Sequence, residues 1–159
     1  MINLDQIKQR IQEGEEIEKV VEEIDWKNFE KLIAEILKKH DFNVHNNFRF
    51  KTNRHFEIDV LAIRNRTSLL IDCKQWGKGR YKKTGLKYSV KEQKKRAKQF
   101  KKFLKNNFIA QAELKIKKTT KFIPLLVTWF EEELLEHENV FIVPVWKFNE
   151  FLLSISKYI

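Results

Sequence analysis

Hydrophobic positions in the first part of the chain recur at helical spacing, and the middle switches to the shorter period of strands. Leu4, Ile7, Ile11, Ile17, Val20 and Val21 predict an acidic amphipathic helix over residues 3 to 23, with Gly14 placed to break or bend it. Asp25 is a good N-cap for a second helix, whose apolar stripe is Trp26, Phe29, Leu32, Ile33, Ile36 and Leu37. Asp41-Phe42-Asn43-Val44 ends that helix and opens an extended segment through Phe50. Residues 56 to 63 and 68 to 76 are rich in Ile, Val, Leu and Ala and read as strands joined by the polar turn Arg64-Asn65-Arg66-Thr67.

Beyond them, the segment from Gly77 to Gly85 reads as a loop. Ser89-Val90-Lys91-Glu92 reads as a capping box opening a long helix with Val90, Ala97, Phe100, Leu104 and Phe108 on one side. Phe122 to Trp129 reads as a buried strand and Glu131 to Glu138 as a helical turn or two. Val140 to Val145 reads as a strand that Pro144 sends to an edge, and Trp146 to Ile155 as a terminal helix. Helices covering a central mixed sheet in an α/β plan are the expected architecture.

The two central strands carry an unusual set of charges. Centring the loop between Asn65 and Arg66 places Asp59 opposite Asp72 and Glu57 opposite Lys74, with a two- or a four-residue loop alike. Strict alternation puts Glu57, Asp59, Leu61, Leu70, Asp72 and Lys74 on one face. It puts Ile58, Val60, Ala62, Leu69, Ile71 and Cys73 on a wholly apolar other face. Opposed residues have Cβ atoms about 4.5–5.5 Å apart, so the two aspartates repel unless something neutralises them. Mg²⁺ needs only one or two carboxylates plus waters. A solvated sheet face bridged by Lys74 is the plainer alternative. Glu30, at the edge of the second helix's stripe, reads either as a surface acid or as a functional group beside the core.

Composition narrows the setting. The chain has 159 residues, one cysteine and a net charge of +10. That length suits a single domain, and one cysteine excludes an internal disulfide and a cysteine-based zinc site. No signal peptide pattern and no membrane-spanning apolar run is present, so a cytoplasmic protein without a membrane partner is expected. Residues 1 to 25 hold three basic and eight acidic side chains, whereas residues 74 to 105 hold fourteen basic and one acidic. A face so nearly free of acid points to nucleic acid, against the plainer reading of a solubilising lysine face.

Asn28-Phe29-Glu30-Lys31-Leu32 through Phe42-Asn43-Val44, then Glu57-Ile58-Asp59-Val60, then Asp72-Cys73-Lys74 together resemble the PD-(D/E)XK nuclease superfamily. The likeness is nearest to Mrr-type restriction endonucleases and archaeal Holliday-junction resolvases, and the segment from Val140 to Leu153 is similar to the end of Mrr-type domains. The resemblance implies a restriction-endonuclease-like αβββαβ core over residues 25–159, preceded by an acidic helical arm over residues 1–24. It implies Asp59 and Asp72 as metal ligands with the Cys73 carbonyl as a third and Glu30 near the metal. Lys74 would orient or activate water and stabilise developing charge, with Gln75 assisting; Glu57, on the same face by register, is either catalytic or serves only to position Lys74. Mg²⁺, or Mn²⁺ in its place, would be the cofactor. Ile58 stands where the superfamily's name has proline, Asp72 where glutamate is more usual, and Phe56 where glycine is frequent.

The expected activity is therefore metal-dependent endonucleolytic hydrolysis of DNA. A junction-selective resolvase, or a catalytically weak binding module on the same fold, are the alternatives, and a homodimer is compatible with each. Lys78, Arg80, Tyr81, Lys82, Lys83, Lys87, Lys91, Lys94 and Lys95 are the expected DNA contacts, with Trp76 and Tyr81 as stacking surfaces. His40, His45, His55 and His137 lack metal-ligand spacing, and Gly77-Lys78-Gly79 lacks the flanks of a phosphate loop.

Overall fold

The computed structural model describes residues 4–16, 19, 20, 23, 26–74, 82–129 and 136–155. Helices α1 (Leu4–Gln12) and α2 (Trp26–Lys39) precede three strands, β1 (Asn43–Lys51), β2 (His55–Arg64) and β3 (Thr67–Lys74). Then follow α3 (Lys82–Lys105), α4 (Phe108–Glu113), β4 (Lys121–Thr128), β5 (Glu136–His137), β6 (Val140–Pro144), a 3₁₀ turn (Val145–Lys147) and α5 (Phe148–Leu153). The sheet order is β1-β2-β3-β4-β6-β5; β1, β2 and β3 are antiparallel, β3, β4 and β6 parallel, and β5 antiparallel to β6. The expected mixed sheet with helices on both faces is what forms.

Both faces of the sheet are covered, which explains the nearly continuous apolar runs of β3 and β4. Phe29, Leu32, Ile33 and Leu37 of α2 and Phe148, Phe151 and Leu152 of α5 pack on one face, with Val60, Ala62, Ile71, Cys73 and Val127. Ile7 of α1 joins this core. On the other face, Ala97, Phe100 and Leu104 of α3 pack with Ile58, Leu61, Ile63 and Leu70, while Leu86 and Val90 meet Leu126, Val140 and Ile142.

Helix α2 ends in a Schellman motif, with Phe42 N–H donating to the Leu37 carbonyl (3.1 Å) and Asp41 N–H to that of Lys38 (3.1 Å). Asp41 takes φ 64° to close it. Gly14 (φ 97°) ends α1 in the same way, so the helix expected over residues 3 to 23 stops at Gln12; Ile17 and Val21, like Asp25, lie outside the described residues.

The β2–β3 hairpin has the expected register, since Arg64 pairs with Thr67 and Val60 with Ile71 across a two-residue turn in which Asn65 takes φ 53°. Strict alternation along β2 does not hold. Ile58 packs with Leu61 and Ile63 on the α3 face, not with Val60 and Ala62. Strand β1 changes sides at the same level, because Val44 packs on the α2 face whereas Phe48 and Phe50 pack on the α3 face. The ladder pairs Asn46 with Val60 and Phe48 with Ile58. Between these pairs stand Asp59 and Asn47, and Asn47 has φ 51°. Beyond that level the β1–β2 hairpin turns over and lies on α3. Thr52 Oγ1 donates to Gln99 Oε1 (2.6 Å), Arg54 sits 3.7 Å from Glu92, and Phe48 and Phe50 set their rings edge-on to Phe100 at 5.7 and 5.4 Å.

Other expectations fail for tertiary reasons. Helix α3 starts at Lys82 and runs through Gly85, so Ser89 is a buried mid-helix residue and not a cap. Burial of Leu86 outweighs the helix cost of glycine, which is about 1 kcal/mol. At its far end α3 stops at Lys105, and Asn107 caps the separate helix α4 by accepting from Ala110 N–H (3.0 Å), which leaves Phe108 outside the core. Glu136 and His137 form a short strand in place of a helical turn, with residues 131–135 outside the described set. Consequently β6 lies inside the sheet, with Pro144 as its last residue, paired to Thr128.

Asn47→Gly is expected to leave stability nearly unchanged, whereas Asn47→Val, forced into a left-handed backbone, should cost about 1–3 kcal/mol in urea unfolding. Equal midpoints for the two variants would show that this residue does not set the turnover of the hairpin.

Candidate active site

The candidate site stands where β2 leaves β3. Their ladder ends at Val60↔Ile71, and the next residues in register are Asp59 and Asp72. Past that point the Cys73 N–H has no acceptor from β2, and the Asp59 carboxylate takes it at 3.0 Å. Asp59 and Asp72 face each other there, close enough for their carboxyl groups to interact. Asp72 is buried at 7% exposure and points to the α3 side of the sheet, in phase with Leu70. Lys74 Nζ lies 3.2 Å from Asp72 Oδ2. Cys73, between them, is buried in the opposite core, so its backbone rather than its thiol is available to the site.

Burial is the main reason that the Asp59 carboxyl is pushed up to about 7. The neighbouring Asp72 carboxyl pushes the same way, Glu30 adds a smaller push from α2, and the Cys73 N–H opposes them. Glu30 is thus brought near the pair, as its place beside the apolar stripe allowed. Burial, with the same three acids, also pushes the Cys73 thiol up, so it remains a neutral thiol.

Glu57 does not join the cluster. Because the hairpin turns over at Asp59, Glu57 faces Arg49 on β1, its partner in register, at 2.9 Å. The expected pairing of Glu57 with Lys74 is replaced by an exposed ion pair, worth little to stability. Gln75, Trp76, Lys78, Arg80 and Tyr81 lie outside the described residues, as do the side chains of Lys82 and Lys83. Lys87, Lys91, Lys94 and Lys95 are exposed on the outer face of α3, with Lys94 3.5 Å from Glu138.

Two groups near the site escaped the sequence reading. Gln93 is fully buried in α3; its Nε2 donates to the Leu70 carbonyl (2.7 Å), and Arg96 donates to its Oε1. It ties the helix to the strand that carries Asp72. Its place in the buried series Leu86, Val90, Ala97, Phe100, Leu104 was a readable signal. Trp129, one residue past the Thr128 that pairs with Lys74, sets its ring edge-on to Phe29 at 5.5 Å.

Among the described residues no group of three or more His, Cys, Asp or Glu side chains is placed to hold a metal ion. Two adjacent carboxylates, Asp72 buried and Asp59 half-buried, nevertheless suit a small hard cation that completes its shell with waters. No described helix is long and apolar enough to cross a membrane.

The nuclease-related domain model matches residues 25–147, and the chain belongs to that family. The matching model is thus neither an Mrr-type nor a resolvase model. The chain is 29% identical over 135 residues to an uncharacterised protein of Archaeoglobus fulgidus, covering 84% of this chain and 94% of that one. It is also similar to a protein of unknown function solved by crystallography, at 21% identity and a TM-score of 0.45, over 80% of this chain and 64% of that protein.

A carboxyl whose folded-state pKa lies near 7 holds its proton where the unfolded chain, near 3.8, has released it. Metal-free stability should therefore fall as pH rises from about 4 to 7 and level off above. Asp59→Asn should remove that loss and be more stable than the parent at pH 7.5 in EDTA, by roughly 1–3 kcal/mol. Urea unfolding of both proteins at pH 4.5 and 7.5 measures it; a variant less stable at the higher pH contradicts the assignment.

Proposed function

We propose that the chain is a metal-dependent nuclease that hydrolyses DNA phosphodiester bonds endonucleolytically. The observation that carries the reading is the pairing of half-buried Asp59 with buried Asp72 at the mouth of the sheet, with Lys74 at 3.2 Å and the Cys73 backbone beside it. Asp59 and Asp72 are the residues that would hold Mg²⁺ or Mn²⁺, with the Cys73 carbonyl as a third donor. When bound, the ion would lower the pKa of its water and draw charge from the phosphate oxygens.

The chain's own groups have separable tasks. The Cys73 N–H fixes the direction of the Asp59 carboxylate, and Gln93 holds α3 against β3 behind Asp72. Lys74 supplies a fixed positive charge where the phosphorane gains negative charge. Glu30 lies close enough to bear on the Asp59 proton and is assigned to orient water on the α2 side. Glu57, tied to Arg49, is given no part.

Substrate approach follows from charge. The exposed lysines of α3, including Lys87, Lys91 and Lys95, form a surface for phosphates on the same side of the sheet as Asp72. Such contacts position a duplex without reading its sequence and make binding fall steeply with salt.

With plasmid and linear DNA as substrates, Mg²⁺ should support cleavage and EDTA should abolish it. Asp72→Ala should be inactive, and Lys74→Ala should lose about 10²–10³ in rate while still binding DNA. Cleavage by Asp72→Ala at the parent rate would remove the proposal.

A further inference from the structure

A second concentration of positive charge lies at the end of the sheet away from the carboxylates. Strands β3 and β4 run parallel, from Thr67 opposite Lys121 to Lys74 opposite Thr128, and Asp72 stands near the finish. Helix α3 runs back the other way. Its early residues Leu86 and Val90 pack on Leu126, and its later Phe100 sets its ring 5.9 Å from Phe122 near the strand's start. Over 24 residues the helix covers about 36 Å. Helix α4 and the segment that follows it are therefore at the opposite pole from the aspartates. They are fastened there by Gln111 Nε2 donating to the Leu104 carbonyl (2.5 Å) and by Lys121 N–H donating to the Arg66 carbonyl (2.7 Å).

This pole combines two features that a solubilising surface does not need together. Phe108 and Ile109, successive residues in the first turn of α4, are 81% and 72% exposed. The side chains of Ala110 and Leu114 hold the same helix in the core, so the apolar pair projects from a fixed base. In the flanking sequence Lys101, Lys102, Lys105, Lys115, Lys117 and Lys118 are all exposed, and Glu113 is the one acid between residues 101 and 121.

We propose that this pole docks on an anionic lipid surface, with Phe108 and Ile109 seated at the boundary of headgroups and acyl chains and the flanking lysines on the headgroup phosphates. Bulky apolar side chains flanked by lysine match the two forces that hold a peripheral protein on such a surface, apolar insertion and attraction to acidic lipid. A second copy of the chain is a poor occupant, because two sets of lysines would face each other. A nucleic acid duplex suits the lysines but gives the aliphatic Ile109 nothing to stack on. Docking in this way leaves the end of the sheet that carries the aspartates turned away from the bilayer. The sequence excluded a spanning segment; a surface contact of this kind needs none.

The test is co-sedimentation of the full chain with phosphatidylcholine vesicles, with and without phosphatidylglycerol. Binding to the acidic vesicles alone, weakened by salt, is expected. The double variant Phe108→Ser/Ile109→Ser should lose about tenfold or more in vesicle affinity, and Lys115→Glu/Lys117→Glu a similar amount. Both variants should keep the parent's melting temperature and its DNA cleavage, since the altered side chains are exposed and remote from Asp72. No binding to acidic vesicles overturns the proposal, as does undiminished vesicle binding by the double serine variant. Two further results overturn it: loss of DNA affinity in that variant without vesicle binding by the parent, or a concentration-dependent dimer that the variant abolishes. A parent that cleaves no DNA but binds acidic vesicles would leave this inference standing while removing the nuclease assignment.

Discussion

The contact on which the site depends is a hydrogen bond from the Cys73 N–H to the Asp59 carboxylate, made at the point where β2 leaves β3. A buried backbone donor must find an acceptor, and the departing strand no longer offers a carbonyl. The side chain of Asp59 replaces it. This one substitution of side chain for backbone holds the Asp59 carboxylate against Asp72, which the central strand β3 carries in an almost fully buried segment. It also frees the rest of the hairpin to turn over at Asn47 and Asp59 and to wrap α3 with Phe48, Phe50 and Phe56.

The consequence is electrostatic. Two acids are kept close together, Asp72 buried and Asp59 half-buried, with one lysine beside them and a third acid, Glu30, on the neighbouring helix. A fold under selection for stability alone would not gather these groups, because each raises the cost of ionising the next. The protein's large positive charge does not relieve them locally, since most of it lies on the solvent face of α3 and around α4. The α3 lysines nearest the aspartates can attract a polyanion from outside while strain between carboxylates is held within, which is the physical case for the proposed phosphodiester substrate.

Helix α3 links the two ends of the molecule. Its buried series from Leu86 through Gln93 to Leu104 ties it to β3, β4 and the wrapped hairpin. Its exposed lysines run from the aspartates at one pole to the Phe108–Ile109 tip at the other. A long helix with one face so apolar and the other so basic fixes the core and distributes charge over the whole length of the sheet.

Periodicity and turn length were enough to read the order of the main elements, though not α4 or β5, and the register of β2 on β3 that brings Asp59 to Asp72 near Lys74. These follow from local chemistry: a two-residue turn sets a register, and a helix must present its stripe every third or fourth residue. The faces of Ile58 and Phe48 were not readable, because a positive φ at Asn47 lets both strands change sides there, and asparagine does not announce that choice. The start of α3 was misplaced because Leu86 is buried by β4 and β6, residues distant in sequence that outweigh Gly85 and the apparent cap at Ser89. Glu57 lost its assigned partner for the same reason as Ile58, and the projection of Phe108 depended on Asn107 ending one helix and capping another. The sequence by itself determined which residues would meet across a short turn. Tertiary packing decided which way they faced, since direction depends on contacts between segments that no local pattern contains.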